Sequence, residues 1–169
     1  MTRPSRGRTA VAPKIEILVR SRHWRKQPRA AATVRKAISA AAKAASTPRA
    51  ELAIVLSDDS AIQALNRDWR GKNAPTNVLS FPAAVPGKPR GSAYVGDIVI
   101  AYQTTAREAV AEEKPFGHHL AHLAVHGYLH LIGYDHETDR AAQRMERLER
   151  AILAQIAIPD PYAARDAED

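Results

Sequence analysis

The chain has 169 residues, 45% of them apolar and 25% charged, with a formal net charge of +7 and no cysteine. This length suits one globular domain able to bury a sizeable core. The absence of cysteine excludes a disulfide framework and thiolate metal ligands, and no run approaches the ~20 apolar residues of a membrane helix.

Residues 1–13, MTRPSRGRTAVAP, carry positive charge without an apolar segment and read as a disordered basic tail rather than a secretory signal. They open a basic end. Residues 1–49 hold 13 Lys/Arg against one acid, Glu16, and the rest of the chain holds 12 against 17. Such concentration suits a polyanionic partner, nucleic acid before an anionic membrane; a merely solvated tail and helix face is the alternative. Ile15–Val19 (IEILV) reads as a strand. Residues 29–45, Ala-rich and apolar at Val34, Ile38, Ala41 and Ala45, read as a helix that Ser46–Thr47–Pro48 ends. Leu52–Leu56 (LAIVL) is a mostly buried strand, and Ser57–Asp58–Asp59 offers caps for a helix over Ser60–Trp69. Asn77–Phe81 is a third strand stopped by Pro82, and residues 83–92 form a Pro/Gly loop. Tyr94–Ala101 is a fourth strand with a candidate bulge at Gly96–Asp97. A helix follows through Glu113. Pro115 at the first helical position starts the next, which runs to about Leu131 and stops at Gly133. Asp139–Ile156 is a last amphipathic helix closed by Pro159, with residues 159–169 a loose tail. The expected fold is α+β: one domain over 14–158, a mixed sheet of about four strands packed with helices.

Five of the seven histidines lie between positions 118 and 130, and a sixth is His136. His126 and His130 are four apart, so a helix projects both from one face and lets two imidazoles reach one ion. Gly133 ends the helix, and the turn through Tyr134 and Asp135 brings His136 back, giving H-x3-H-x5-H. Three protein ligands leave a fourth position open, the catalytic rather than structural arrangement. His122/His126 and His118/His122 share the i, i+4 spacing, but only His126/His130 is followed by a turn supplying a third histidine. His122 is then expected beside the ligands or in the core, and His118 and His119 in solvent. The zinc-protease helix H-E-x-x-H carries its general base directly after the first histidine; here that position is Gly127. A proton acceptor would have to be Asp135, Asp97, the substrate or a hydroxide on the metal. Arg140, Arg144 and Arg147, interleaved with Glu146 and Glu149, read as a solvated helix face.

HGYLHLIGYDH at 126–136 resembles the signature of the YbeY family of bacterial endoribonucleases, and HLAV at 122–125 fits it too. LNRDWRGKNAPTNVLSFP at 65–82 and VGDIVI at 95–100 are similar to two further blocks of that family, so the resemblance spans roughly residues 50–157. It implies a zinc-dependent, single-strand-preferring endoribonuclease of ribosomal RNA precursors. Small-subunit RNA 3′-end maturation and ribosome quality control would be its roles; the lack of cysteine fits a cytoplasmic location. The resemblance implies one zinc on His126, His130 and His136, with His126 and Arg70 carrying the catalysis, and RNA and the small ribosomal subunit as partners. The residue chemistry is compatible, because zinc lowers the pKa of water and the planar guanidinium of Arg70 suits phosphate. On residues alone, Arg70 beside Lys72 reads as an exposed loop charge, and Asn66 and Ser80 as structural. A metallohydrolase with another substrate, such as a peptidase, and a non-catalytic assembly factor with structural zinc are the rivals.

Overall fold

The computed structural model describes residues 11–83 and 93–168. Most of the expected basic tail and of the Pro/Gly loop lies outside the described residues. The strands are β1 (Lys14–Val19), β2 (Glu51–Ser57), β3 (Val78–Pro82) and β4 (Tyr94–Ala101). The helices are α1 (Ala30–Ala44), α2 (Asp59–Arg70), α3 (Tyr102–Ala111), α4 (Phe116–Leu131), α5 (Asp139–Gln155) and α6 (Ala163–Asp166), with a 3-10 turn at Arg22–Lys26. The sheet order is β1-β2-β4-β3. The first three of these strands run parallel and β3 lies antiparallel to β4 at the edge, so the expected mixed four-stranded sheet is observed.

Alternation along the strands divides the core. Ile98 and Ile100 face the main core with α1, α4 and α5, whereas Val99 and Ala101 face a smaller cluster with Ile62 of α2 and Leu79. α4 is the central helix, packed on α1, α3, α5, β3 and β4. It is apolar on most of its circumference, as a helix surrounded by protein must be. Its one buried hydroxyl, that of Tyr128, meets Thr47 Oγ1 at 2.6 Å. Gly127 lies where α4 crosses the sheet: a Cβ there would sit 3.0 Å from the Ile98 side chain and 3.2 Å from Ser80 Oγ. Ser80 Oγ donates to the Gly127 carbonyl at 2.9 Å, fastening α4 to β3.

Element ends depart slightly from expectation. β3 includes Pro82 instead of stopping before it, because an edge strand tolerates a residue without an N–H. Pro115 is the cap preceding α4, one position earlier than expected. The bulge falls at Val95, between the pairs Glu51–Tyr94 and Leu52–Gly96. Gly96 has φ +136, and a Cβ on it would lie 2.2 Å from the Phe81 carbonyl oxygen, so only glycine fits. The segment after 158, read from sequence as loose, turns back against α5. Arg150 bonds Asp166 at 2.7 Å, and Lys114 Nζ donates to the Pro161 carbonyl at 2.9 Å.

Candidate metal centre

His126 and His130 lie one turn apart on α4, as their spacing dictates, and the chain after α4 returns His136 to them. The return is a defined helix stop. Gly133 adopts φ +103, its N–H bonds the His130 carbonyl at 3.2 Å, and the Tyr134 N–H bonds the Leu129 carbonyl at 3.0 Å. This paired pattern is the Schellman motif. One ring nitrogen from each of His126, His130 and His136 lies within 4.8 Å of the others. His126 and His130 are partly buried and His136 is exposed.

The tautomers of the two helical ligands are fixed by what lies behind them. His130 Nδ1 faces the Tyr134 carbonyl at 2.9 Å, and His126 Nδ1 faces Glu149 Oε1 at 2.6 Å. Both neighbours are acceptors, so both Nδ1 atoms carry the proton and both Nε2 atoms present lone pairs. Those Nε2 atoms converge to 3.0 Å. Two neutral imidazoles in this arrangement repel one another, and a cation between them removes the repulsion. Nitrogens on a tetrahedral zinc at ~2.0–2.1 Å lie roughly 3.3–3.4 Å apart. The donor set and its spacing fit such an ion. Burial, then the crowding of a second ring charge beside His126 and His136, lowers the pKa of His130 from its usual value, which favours the neutral form a ligand needs.

Glu149 is fully buried, and the sequence reading of α5 missed it. Its Oε1 accepts from His126, and its Oε2 accepts from the Tyr162 hydroxyl, with His122 Nε2 at 3.3 Å. Burial alone would raise this carboxyl, but the hydrogen bonds from His122 and His126 outweigh it and take it down to about 2. Burial and the Glu149 charge push the Tyr162 hydroxyl up, so it remains a donor. The face expected to be solvated is therefore solvated only at its arginines. Met145, Glu149, Ile152 and Leu153 form the buried stripe of α5, and an acid on that stripe was the available signal. His119, expected in solvent, is 4% exposed and bonds Glu108 at 2.7 Å; His118 is half-buried.

The three histidines line a cleft of about 730 Å³ with Trp69, Arg70 and Asp135. Arg70 is the last residue of α2, exposed and without a carboxylate partner among the described residues. Asn66 sets the chain beyond it, donating to the Ala74 carbonyl at 2.8 Å. Asp135 accepts the Glu137 N–H at 3.1 Å. Asp97 bonds the Tyr94 hydroxyl on β4 and is not part of the cleft wall. The position after His126 holds no base because it faces the sheet, where Gly127 leaves no space for one.

A family model described as endoribonuclease YbeY matches residues 17–157. A protein of that name from Rhodopseudomonas palustris strain BisA53 is 54% identical, covering 94% of this chain and 95% of its own. One from strain CGA009 is 56% identical over 91% of this chain and 83% of its own. One from Bradyrhizobium strain BTAi1 is 52% identical over 93% and 96%. The solution structure of a Thermotoga maritima protein, 21% identical, superposes with a TM-score of 0.54 over 92% of this chain and 95% of that one, which shows a shared fold.

Proposed function

The chain belongs to the YbeY endoribonuclease family, and from that premise we propose that it is a zinc-dependent, single-strand-specific endoribonuclease of ribosomal RNA precursors. Its work would be 3′-end maturation of the small-subunit RNA and ribosome quality control, in the cytoplasm, on or beside the small ribosomal subunit. The observation that carries the reading is the convergence of the His126 and His130 Nε2 lone pairs, 3.0 Å apart, in a cleft that also holds Arg70. No described helix is long and apolar enough to cross a membrane.

His126, His130 and His136 would hold one zinc ion. Bound there, the ion supplies a Lewis acid that eases proton loss from water and draws charge from a phosphodiester. Glu149 and the Tyr134 carbonyl fix the rings of His126 and His130, so the ligand lone pairs are in place before the ion arrives. Arg70 offers a planar fork to the non-bridging oxygens, on which charge gathers as the phosphate is attacked. The absence of space for a base at Gly127 disfavours the peptidase alternative. The test is cleavage of a small-subunit RNA precursor and of a peptide by the zinc-loaded protein, with chelator and His130→Ala as controls. RNA scission lost in both controls is expected. Peptide hydrolysis without RNA scission overturns the proposal.

A further inference from the structure

Trp69 is 72% exposed, although its position on α2 continues the inward stripe of Ile62, Leu65 and Asn66. Ile62 and Asn66 are buried, and Leu65 packs on the small cluster beneath α2. At Trp69 the stripe reaches the cleft instead of the core. The indole is nonetheless held. It meets Phe81 edge to face, with ring centroids 6.0 Å apart, and Phe81 is itself anchored on the cluster of Ile62, Leu79 and Val99. A large aromatic surface is thus fixed from behind and open to solvent in front, next in the chain to the cleft arginine. Leaving it in water forfeits the ~1.5–3 kcal/mol of a buried large apolar side chain, and the fold gains little from it there.

We propose that Trp69 is a stacking platform for one nucleobase of the RNA strand, beside the phosphate held by Arg70. This rests on the reading of the cleft as an RNA-cleaving site. Trp69 and Arg70 both line the cleft of the three histidines, so they reach the base and the phosphate of one nucleotide or of two neighbours. Every base has a π face, so the platform accepts any sequence, but a base stacked within a duplex does not present that face. The strand preference of the cleft follows from this without any base-specific hydrogen bond.

The chain has two tryptophans, and the other, Trp24, is 3% exposed, so the part of a fluorescence change on RNA binding that Trp69→Tyr removes reports on Trp69. The experiment titrates the zinc-loaded full chain with a mixed-sequence single-stranded RNA oligonucleotide, and separately with its duplex. Cleavage kinetics are then compared for wild type, Trp69→Ala and Trp69→Tyr. Quenching by the single strand and not by the duplex is expected. Trp69→Ala should raise KM roughly tenfold or more, with kcat and zinc content unchanged, and Trp69→Tyr should restore most of the loss. RNA cleaved by wild type without quenching, or an unchanged KM in Trp69→Ala, overturns the platform alone. Wild type that neither binds nor cleaves RNA overturns the cleft reading and the platform with it.

Discussion

Among the described cleft residues Arg70 is the one exposed guanidinium, and the question at this scale is whether it acts on the transition state or only draws RNA in. A fork that holds two phosphate oxygens differs in kind from the point charge of lysine. Arg70→Ala should keep the fold and the metal and lose ~10²–10³-fold in single-turnover cleavage at saturating RNA. Arg70→Lys should recover only a small part of that. Near-equal rates for the three forms would leave Arg70 as a binding residue. Glu149 poses a different case, since it touches a ligand ring and no substrate. Glu149→Gln keeps the volume but removes the charge facing His126, so zinc affinity should fall by ~10–100-fold in competition with a chromophoric chelator. His118→Ala should not change it. The two residues also differ in how legible they were. A spacing of four on a helix fixes relative direction, so the histidine set was readable from sequence alone. Arg70 came only from resemblance. Glu149 was hidden among alternating charges, and its role needs the fold of α5 onto α4 before Tyr162 and His126 converge on it.

Among the polar contacts between elements, Asp59 makes the clearest set. It stands in the first turn of α2, and its carboxylate accepts from the Thr104 N–H at 3.0 Å, the Thr104 hydroxyl at 2.7 Å and Arg107 at 2.8 Å. It therefore joins the starts of α2 and α3. Burial would raise its carboxyl, but the bonds from Arg107 and Thr104 outweigh burial and hold it below the ordinary range. A carboxyl depressed in the folded state stabilises fully above the unfolded value of about 4, and the stabilisation is lost as pH falls through the folded value. Asp59→Asn should cost about 1–3 kcal/mol at pH 7. The gap between wild type and variant in urea unfolding should narrow below pH 4. A gap of the same size at pH 3 would show that the ionised form contributes nothing. Periodicity gave the helices and strands to within a few residues, because apolar spacing is local. It could not give Pro82 as part of β3, since that depends on β3 lying at the sheet edge. Nor could it give α6, whose docking relies on Arg150, Arg165 and the distant Lys114.

Across the whole molecule the charge is carried by one end, and the fold gives that end a position. Residues 17–50 contain nine Lys/Arg and no acid. Five of these, Arg20, Arg22, Arg25, Lys26 and Arg29, are exposed on and beside the 3-10 turn. The turn is fixed to the body by Trp24, whose indole N–H donates to the Ser57 carbonyl at 2.8 Å and whose ring packs on Tyr102 and Phe116. Phe116 begins the histidine helix, and ten residues at 1.5 Å each separate it from His126. The cationic knuckle is therefore about 15 Å along that helix from the ligands, and on the proposed reading it would offer its charges to phosphates of a strand cut in the cleft. Counterion release makes the argument measurable. Each phosphate contact on a single strand adds about 0.7 to the slope of log affinity against log salt. Replacing Arg22, Arg25 and Lys26 by alanine should weaken RNA binding at low salt and flatten the slope by about 2. Zinc content and the rate at saturating RNA should hold, because none of the three lines the cleft. Deleting residues 1–12, which removes Arg3, Arg6 and Arg8, tests the tail separately by the same slope. If the slope is unchanged in the triple variant, the knuckle is a solvated surface and RNA leaves the cleft by another path. If it flattens while the rate at saturation falls as well, the knuckle positions the strand for cleavage in addition to holding it.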